Sequence, residues 1–143
     1  MKEEPRMTAH DDEEERPPKF KKFHVDGAGA RPDGTNSGYA WVYLDTDIQR
    51  IRRTDGWTNN QAEYKALIAV LKYVARGSHV VIFTDSQLLC EQFAGRYAVR
   101  NQQLALLLSE ARTTIVEKKL DVKVRWIHRE ANLAGRLLDR GNG

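Results

Sequence analysis

The sequence predicts an α/β fold: a five-stranded mixed sheet, an antiparallel meander followed by parallel strands, flanked by helices. Three observations predict it. Apolar residues alternate through the first third of the chain and then switch to helical spacing. A short, wholly apolar run, His79 to Thr84 (HVVIFT), suits a strand covered on both faces. The resulting order, βββαβααβα, needs helical crossovers between its later strands.

The first strand is expected from Phe20, where Phe23 and Val25 alternate with Lys22 and His24, to about Asp26. A loop follows from Gly27 to Gly34, with Pro32-Asp33-Gly34 as its turn signal. Gly38 to Leu44 and Ile48 to Arg53, separated by Asp45-Thr46-Asp47, read as a hairpin. From Asn60 onward, Leu67, Val70, Leu71 and Val74 form one helical stripe that ends before Gly77, a helix of about five turns. After the strand His79 to Thr84 come a short helix, Gln87 to Phe93, and a longer amphipathic one, Asn101 to Lys118. A strand from Val122 to Ile127 and a helix from Ala131 to Arg140 complete the chain.

Composition narrows the function classes. A chain of 143 residues, 41 % hydrophobic, fits one domain with a core. No apolar run approaches the roughly 20 residues of a membrane span. The start of the chain has neither the apolar segment of a secretory signal nor the Arg-rich, acid-poor character of a transit peptide, so we expect a cytoplasmic protein. The single cysteine, Cys90, reads as a core thiol, and no Cys or His pair has zinc-ligand spacing. Residues 1–19 carry seven acids and four bases, whereas residues 20–143 carry 13 acids and 19 bases. We therefore expect a disordered acidic tail over 1–19 and one basic domain over 20–143, suited to a polyanion such as nucleic acid.

Asp26 ends the first strand and Asp85 the fourth; as parallel neighbours they would reach the same sheet edge, where ligands collect in such folds. Glu63 lies four and seven residues before Leu67 and Val70, on the buried stripe that faces the sheet. Three converging carboxylates repel one another unless cations neutralise them, and hard divalent ions such as Mg²⁺ suit an all-oxygen set. Each residue also has a plain reading. Asp26-Gly27 can be a turn, Asp85 a strand terminator, and Asn60-Gln61-Ala62-Glu63 a capping box in which Glu63 reaches back to the Asn60 amide. Gly27-Ala28-Gly29-Ala30-Arg31-Pro32 imitates a dinucleotide fingerprint, but Pro32 stands at the third glycine and a hairpin follows. Ser86 reads as a helix start, not a nucleophile.

In order and spacing, His24-Val25-Asp26-Gly27, Thr58-Asn59-Asn60-Gln61-Ala62-Glu63-Tyr64-Lys65-Ala66-Leu67, Phe83-Thr84-Asp85-Ser86-Gln87 and Val124-Arg125-Trp126-Ile127 resemble a type 1 ribonuclease H of the compact kind, without a separate hybrid-binding domain. The resemblance spans Phe20 to about Arg140 and implies the ribonuclease H-like fold. It implies hydrolysis of the RNA strand of RNA/DNA hybrids by two Mg²⁺ ions, with Mn²⁺ as a substitute, held by Asp26, Glu63 and Asp85. It further implies that Asn60 and Gln87 reach base edges, that Gly27, Ala28 and Asn59 meet RNA 2′-hydroxyls, and that Thr58 meets a DNA phosphate. His128 resembles the family's mobile histidine, with Arg129 able to take that role. The expected partner is the hybrid alone, with no membrane and no obligate protein, for a monomer that Met1 and its short tail mark as an independent chain.

The chain departs from the family at one position that matters. The family's fourth carboxylate follows the last strand, but Glu130-Ala131-Asn132-Leu133-Ala134-Gly135 is one residue shorter and puts Gly135 in its place. Asn132, whose amide oxygen can ligate Mg²⁺, is the expected substitute, with Asp139 the alternative. A lost negative charge is expected to raise the Mg²⁺ requirement. It also gives the second reading of the sequence, a catalytically weakened module that binds hybrids.

Overall fold

Five strands form in the computed structural model, which describes residues 18–142 and their side chains through Asp139. They are β1 (Phe20–Ala28), β2 (Ser37–Tyr43), β3 (Gln49–Thr54), β4 (His79–Thr84) and β5 (Asp121–Trp126), in sheet order β3-β2-β1-β4-β5. β1 pairs antiparallel with β2 and β2 with β3, whereas β1/β4 and β4/β5 are parallel. The helices are α1 (Asn59–Tyr73), α2 (Gln87–Phe93), α3 (Gln102–Lys118) and α4 (Leu133–Asn142). The architecture is the five-stranded mixed sheet, an antiparallel meander followed by parallel strands, that the sequence predicts.

The alternation in β1 sends Phe23 and Val25 into the main core, with Val80 and Ile82 of β4 beside them. α1 covers that face with Leu67, Val70 and Leu71, all fully buried. Its outer side is covered in turn by Leu104, Leu108 and Ala111 of α3. The Tyr64 hydroxyl donates to Gln92 Oε1 at 2.8 Å, tying α1 to α2 inside the protein. The other face of the sheet is covered by α4, whose Ala134 and Leu138 pack on Ala40. No helix among the described residues is long and apolar enough to cross a membrane.

Three local details differ from the sequence reading. β1 runs two residues beyond Asp26, because Asp26, Gly27 and Ala28 pair with Ala40, Tyr39 and Gly38; Asp26 is thus inside a strand rather than its terminator. The cap of α1 is Thr58: its hydroxyl accepts from the Gln61 N–H at 3.1 Å, and Gln61 Oε1 accepts from the Thr58 N–H at 2.9 Å. A capping box therefore exists two residues earlier than Asn60, and Glu63 takes no part in it. The last helix begins at Leu133, after a 3₁₀ turn over Arg129–Ala131. Apart from Pro18 and Lys19, the expected acidic tail over 1–19 lies outside the described residues.

Gly27 decides how closely β1 approaches α1. A Cβ there would lie 2.4 Å from the Ala62 carbonyl carbon and 2.4 Å from the Glu63 nitrogen, both backbone atoms that cannot swing away. We expect Gly27→Ala to cost about 3 kcal/mol or more by urea unfolding, as overpacking of a rigid contact does. An unchanged unfolding midpoint would show that the strand and helix are not locked together here.

Candidate active site

β1 and β4 run parallel with His24 opposite Phe83, so Asp26 and Asp85, each two residues further on, come abreast at one edge of the sheet. Glu63 reaches the same edge from the start of α1, and one carboxylate oxygen from each of the three lies within 4.8 Å of the others. The turn that carries Asp85 is held locally. Thr84 Oγ1 accepts from the Ser86 N–H at 3.0 Å, Ser86 Oγ accepts from the Leu89 N–H at 3.0 Å, and the Trp126 indole donates to the Asp85 carbonyl at 3.2 Å.

These groups are short of water. Asp26 is 3 % exposed and Glu63 9 %. Burial, then the charge of Asp85, pushes the Asp26 carboxyl up to about 7, against a smaller opposing pull from Arg129 and the Gly27 N–H. Burial, then Asp26 and Asp85, pushes Glu63 up to about 9. Glu63 Oε1 is buried without a hydrogen-bond partner among the described residues. An all-oxygen set, anionic once deprotonated and with an orphaned buried acceptor, fits a hard divalent cation.

Asn132 is fully buried beside this cluster. Its Nδ2 donates to the Val25 carbonyl at 2.9 Å and to Asp85 Oδ2 at 3.1 Å, while its Oδ1 accepts from the Ala134 and Gly135 N–H groups at 3.0 and 3.3 Å. Two acceptors at one end and two donors at the other fix the orientation of the amide. The amide oxygen expected to ligate Mg²⁺ caps α4 in this structure, and the nitrogen faces Asp85. Gly135 lies against the cluster too, since a Cβ there would sit 3.2 Å from Asp26 Oδ2. Asp139 is exposed, and its upward push on Asp26 is smaller than that of Asp85.

The remaining expected residues sit around the rim. Thr58 caps α1, Asn59 Oδ1 accepts from the Gly29 N–H at 2.5 Å, and Asn60 and Gln87 are exposed at the starts of α1 and α2. Ala28 is half-buried at the end of β1, next to Gly27. His128 packs edge-on against Trp126 with ring centroids 4.7 Å apart, and the nearby cation whose charge bears on Asp26 and Glu63 is Arg129. Sequence reasoning missed His24, whose Nδ1 accepts from the Leu133 N–H at 3.0 Å and whose partial burial lowers its pKa, favouring the neutral acceptor. It also missed the capping role of Asn132, although an Asn just before a helical segment is an N-cap signal.

Comparison with known proteins agrees with this geometry. A family model described as reverse transcriptase-like matches residues 24–138. The chain belongs to that family. Among solved structures, the N-terminal RNase H domain of Rv2228c from Mycobacterium tuberculosis, solved as a maltose-binding-protein fusion, is 26 % identical with a TM-score of 0.66, over 82 % of this chain and 95 % of that one. LC11-RNase H1 in complex with an RNA/DNA hybrid is 26 % identical with a TM-score of 0.70, over 85 % and 99 %. RNase H1 from the archaeon Halobacterium salinarum, at 24 % identity and a TM-score of 0.71 over 84 % and 94 %, shares the fold. The chain thus resembles compact type 1 ribonuclease H domains over most of its length.

The raised carboxyls fix a pH dependence. Because Asp26 and Glu63 hold protons in the folded state up to about 7 and about 9, the folded chain binds more protons than the unfolded one above their ordinary values of 3.8 and 4.5. Their contribution to the stability of metal-free protein therefore falls as pH rises through that window. We expect Tm in a chelator to drop between about pH 5 and pH 9, and Asp26→Asn to raise Tm at about pH 8. A wild-type profile that is flat over this range, or a variant less stable at its alkaline end, would contradict the burial of these charges.

Proposed function

We propose that this chain is a metal-dependent endoribonuclease that hydrolyses the RNA strand of RNA/DNA hybrids. The observation that carries the reading is the desolvated Asp26, Glu63 and Asp85 cluster, with its orphaned Glu63 oxygen, in a chain of this family. The likeness to an RNase H1 solved with an RNA/DNA hybrid supports the substrate class.

Asp26, Glu63 and Asp85 would hold divalent cations, Mg²⁺ or Mn²⁺, two of them by the mechanism the resemblance implies. Bound there, such ions supply Lewis acidity that activates water and stabilises charge on the scissile phosphate. The protein's own part is positioning. Asn132 holds the Asp85 carboxylate by one N–H while anchoring α4 through its oxygen, so we read it as a positioning residue rather than a ligand. Thr58, Asn59, Asn60 and Gln87, with the backbone at Gly27 and Ala28, form the polar rim on which the hybrid would rest. His128 and Arg129 stand beside that rim, where Arg129 offsets part of the carboxylate repulsion.

The test is cleavage of an end-labelled hybrid in Mg²⁺ and in Mn²⁺, beside free RNA and both homoduplexes. We expect cutting of the RNA strand in the hybrid alone, reduced roughly 1,000-fold or more by Asp26→Asn. Hybrid that is bound but uncut in either metal would favour the binding-module reading that Gly135 suggests.

Asn132 separates positioning from mere stability. Asn132→Ala should cost about 1–3 kcal/mol through the lost cap and the Asp85 oxygen left unpaired. Asn132→Asp keeps a capping oxygen but replaces the Nδ2 donor to Asp85 with a like charge, so it should shift the pH profile of Mn²⁺ binding upward, a change that lost fold stability alone would not produce. An unchanged pH profile of Mn²⁺ binding in Asn132→Asp would overturn the positioning role.

A further inference from the structure

A second feature lies on the α1 side of the sheet, away from the carboxylates. In the β2/β3 register Arg52 stands opposite Tyr39 and Arg50 opposite Trp41, so these four side chains share one face. α1 forms the facing wall and contributes Lys65 and Lys72. Trp57, just before α1, stacks on Tyr39 with centroids 6.0 Å apart and planes 11° apart, and Lys65 Nζ lies 5.4 Å from its ring. Arg50 lies 5.7 Å from the ring of Trp41, which is itself buried, and its neighbour Tyr73 is 41 % exposed.

Two clefts, of about 280 and 530 Å³, share Tyr39, Arg52, Ala69 and Lys72 and so form one groove. Lys72 is paired with Glu110 at 2.7 Å, but among the described residues no carboxylate lies within ion-pairing distance of Arg50, Arg52 or Lys65. Edge-strand protection accounts for arginines on β3. It does not account for Lys65 on the opposite wall or for aromatic rings between the two walls.

Unpaired cations beside the half-buried Tyr39 and Trp57 and the exposed Tyr73 suit a single-stranded polynucleotide, whose phosphates meet the charges and whose bases meet those rings. The groove is about 12 Å long from Lys65 to Tyr73, by helical rise. Its upper end adjoins the polar rim of the carboxylate site: the Trp57 carbonyl accepts from the Ala30 N–H at 2.8 Å, and Trp57 leads directly into Thr58. We propose that this groove binds a single-stranded nucleic-acid segment continuous with a duplex at the carboxylate site, as on a hybrid with an overhang. The continuity with the duplex rests on the proposed function, whereas the single-strand site does not.

The test is fluorescence anisotropy of the full chain in a chelator, with four probes: a blunt hybrid, the same hybrid with a tail of about ten deoxynucleotides, one with a ribonucleotide tail, and a free single strand. The groove variant is Arg50→Gln, Arg52→Gln, Lys65→Gln; the charge-matched control is Lys22→Gln, Arg76→Gln, Lys123→Gln. We expect a tail to tighten binding roughly fivefold or more in wild type and control. In the groove variant that gain should vanish, blunt-hybrid affinity should hold within about twofold, and the salt slope for the tailed probe should fall by about 2, as for three lost single-strand phosphate contacts. The single variant Lys65→Gln should give part of the same loss. A tail that adds no affinity, or a control that loses as much as the groove variant, overturns the proposal. If the blunt hybrid does not bind, the hybrid reading fails, while selective loss of the free strand by the groove variant still supports the groove; the two tails show whether DNA or RNA is preferred.

Discussion

The structure is organised around an electrostatic conflict: three carboxylates brought together at one sheet edge, largely out of water. Asp26 and Glu63 both respond by resisting ionisation, and one oxygen of Glu63 has no hydrogen-bond partner among the described residues. Nothing in the core needs these charges there. The surrounding parts nonetheless hold them in place: the glycine that lets β1 touch α1, the indole that fixes the Asp85 backbone, and the amide that bridges Asp85 to α4. Buried anions without counter-charge weaken a fold. That cost is the one the proposed cation site would offset.

The same logic explains why α4 lies so close. Three side-chain bonds, one from His24 and two from Asn132, satisfy the first N–H groups of that helix. With its start anchored on β1, Gly135 comes within van der Waals reach of Asp26. Where the family resemblance places a fourth carboxylate, this chain has helix backbone and a buried amide. The local charge is therefore less negative, with the Arg129 guanidinium acting in the same direction.

Much of this was legible in the sequence, for physical reasons that differ by element. Strands and helices announced themselves by apolar period, and the phase of the Leu67–Val70 stripe alone placed Glu63 toward the sheet. Asp26 and Gly27 are poor strand formers, so the extension of β1 past them depended on the partner strand and could not be read locally. Thr58, Asn59 and Asn60 can each cap a helix, and the choice among them followed from the reciprocal bond that Gln61 makes. The direction of the Asn132 amide was hidden for a deeper reason. Oxygen and nitrogen ends are interchangeable in a sequence, and only the backbone groups from β1 and α4 that surround them in the fold decide which end meets Asp85.

The proposal that this cluster of proton-holding carboxyls takes a divalent cation is tested most directly by calorimetry of Mn²⁺ binding at about pH 7 in two buffers of different ionisation enthalpy. A cation must displace the protons held by Glu63 and, in part, by Asp26. The account predicts release of between about one and two protons per site at that pH, with Asp26→Asn binding more weakly. Binding without proton release, or no binding to the wild-type chain, would contradict it.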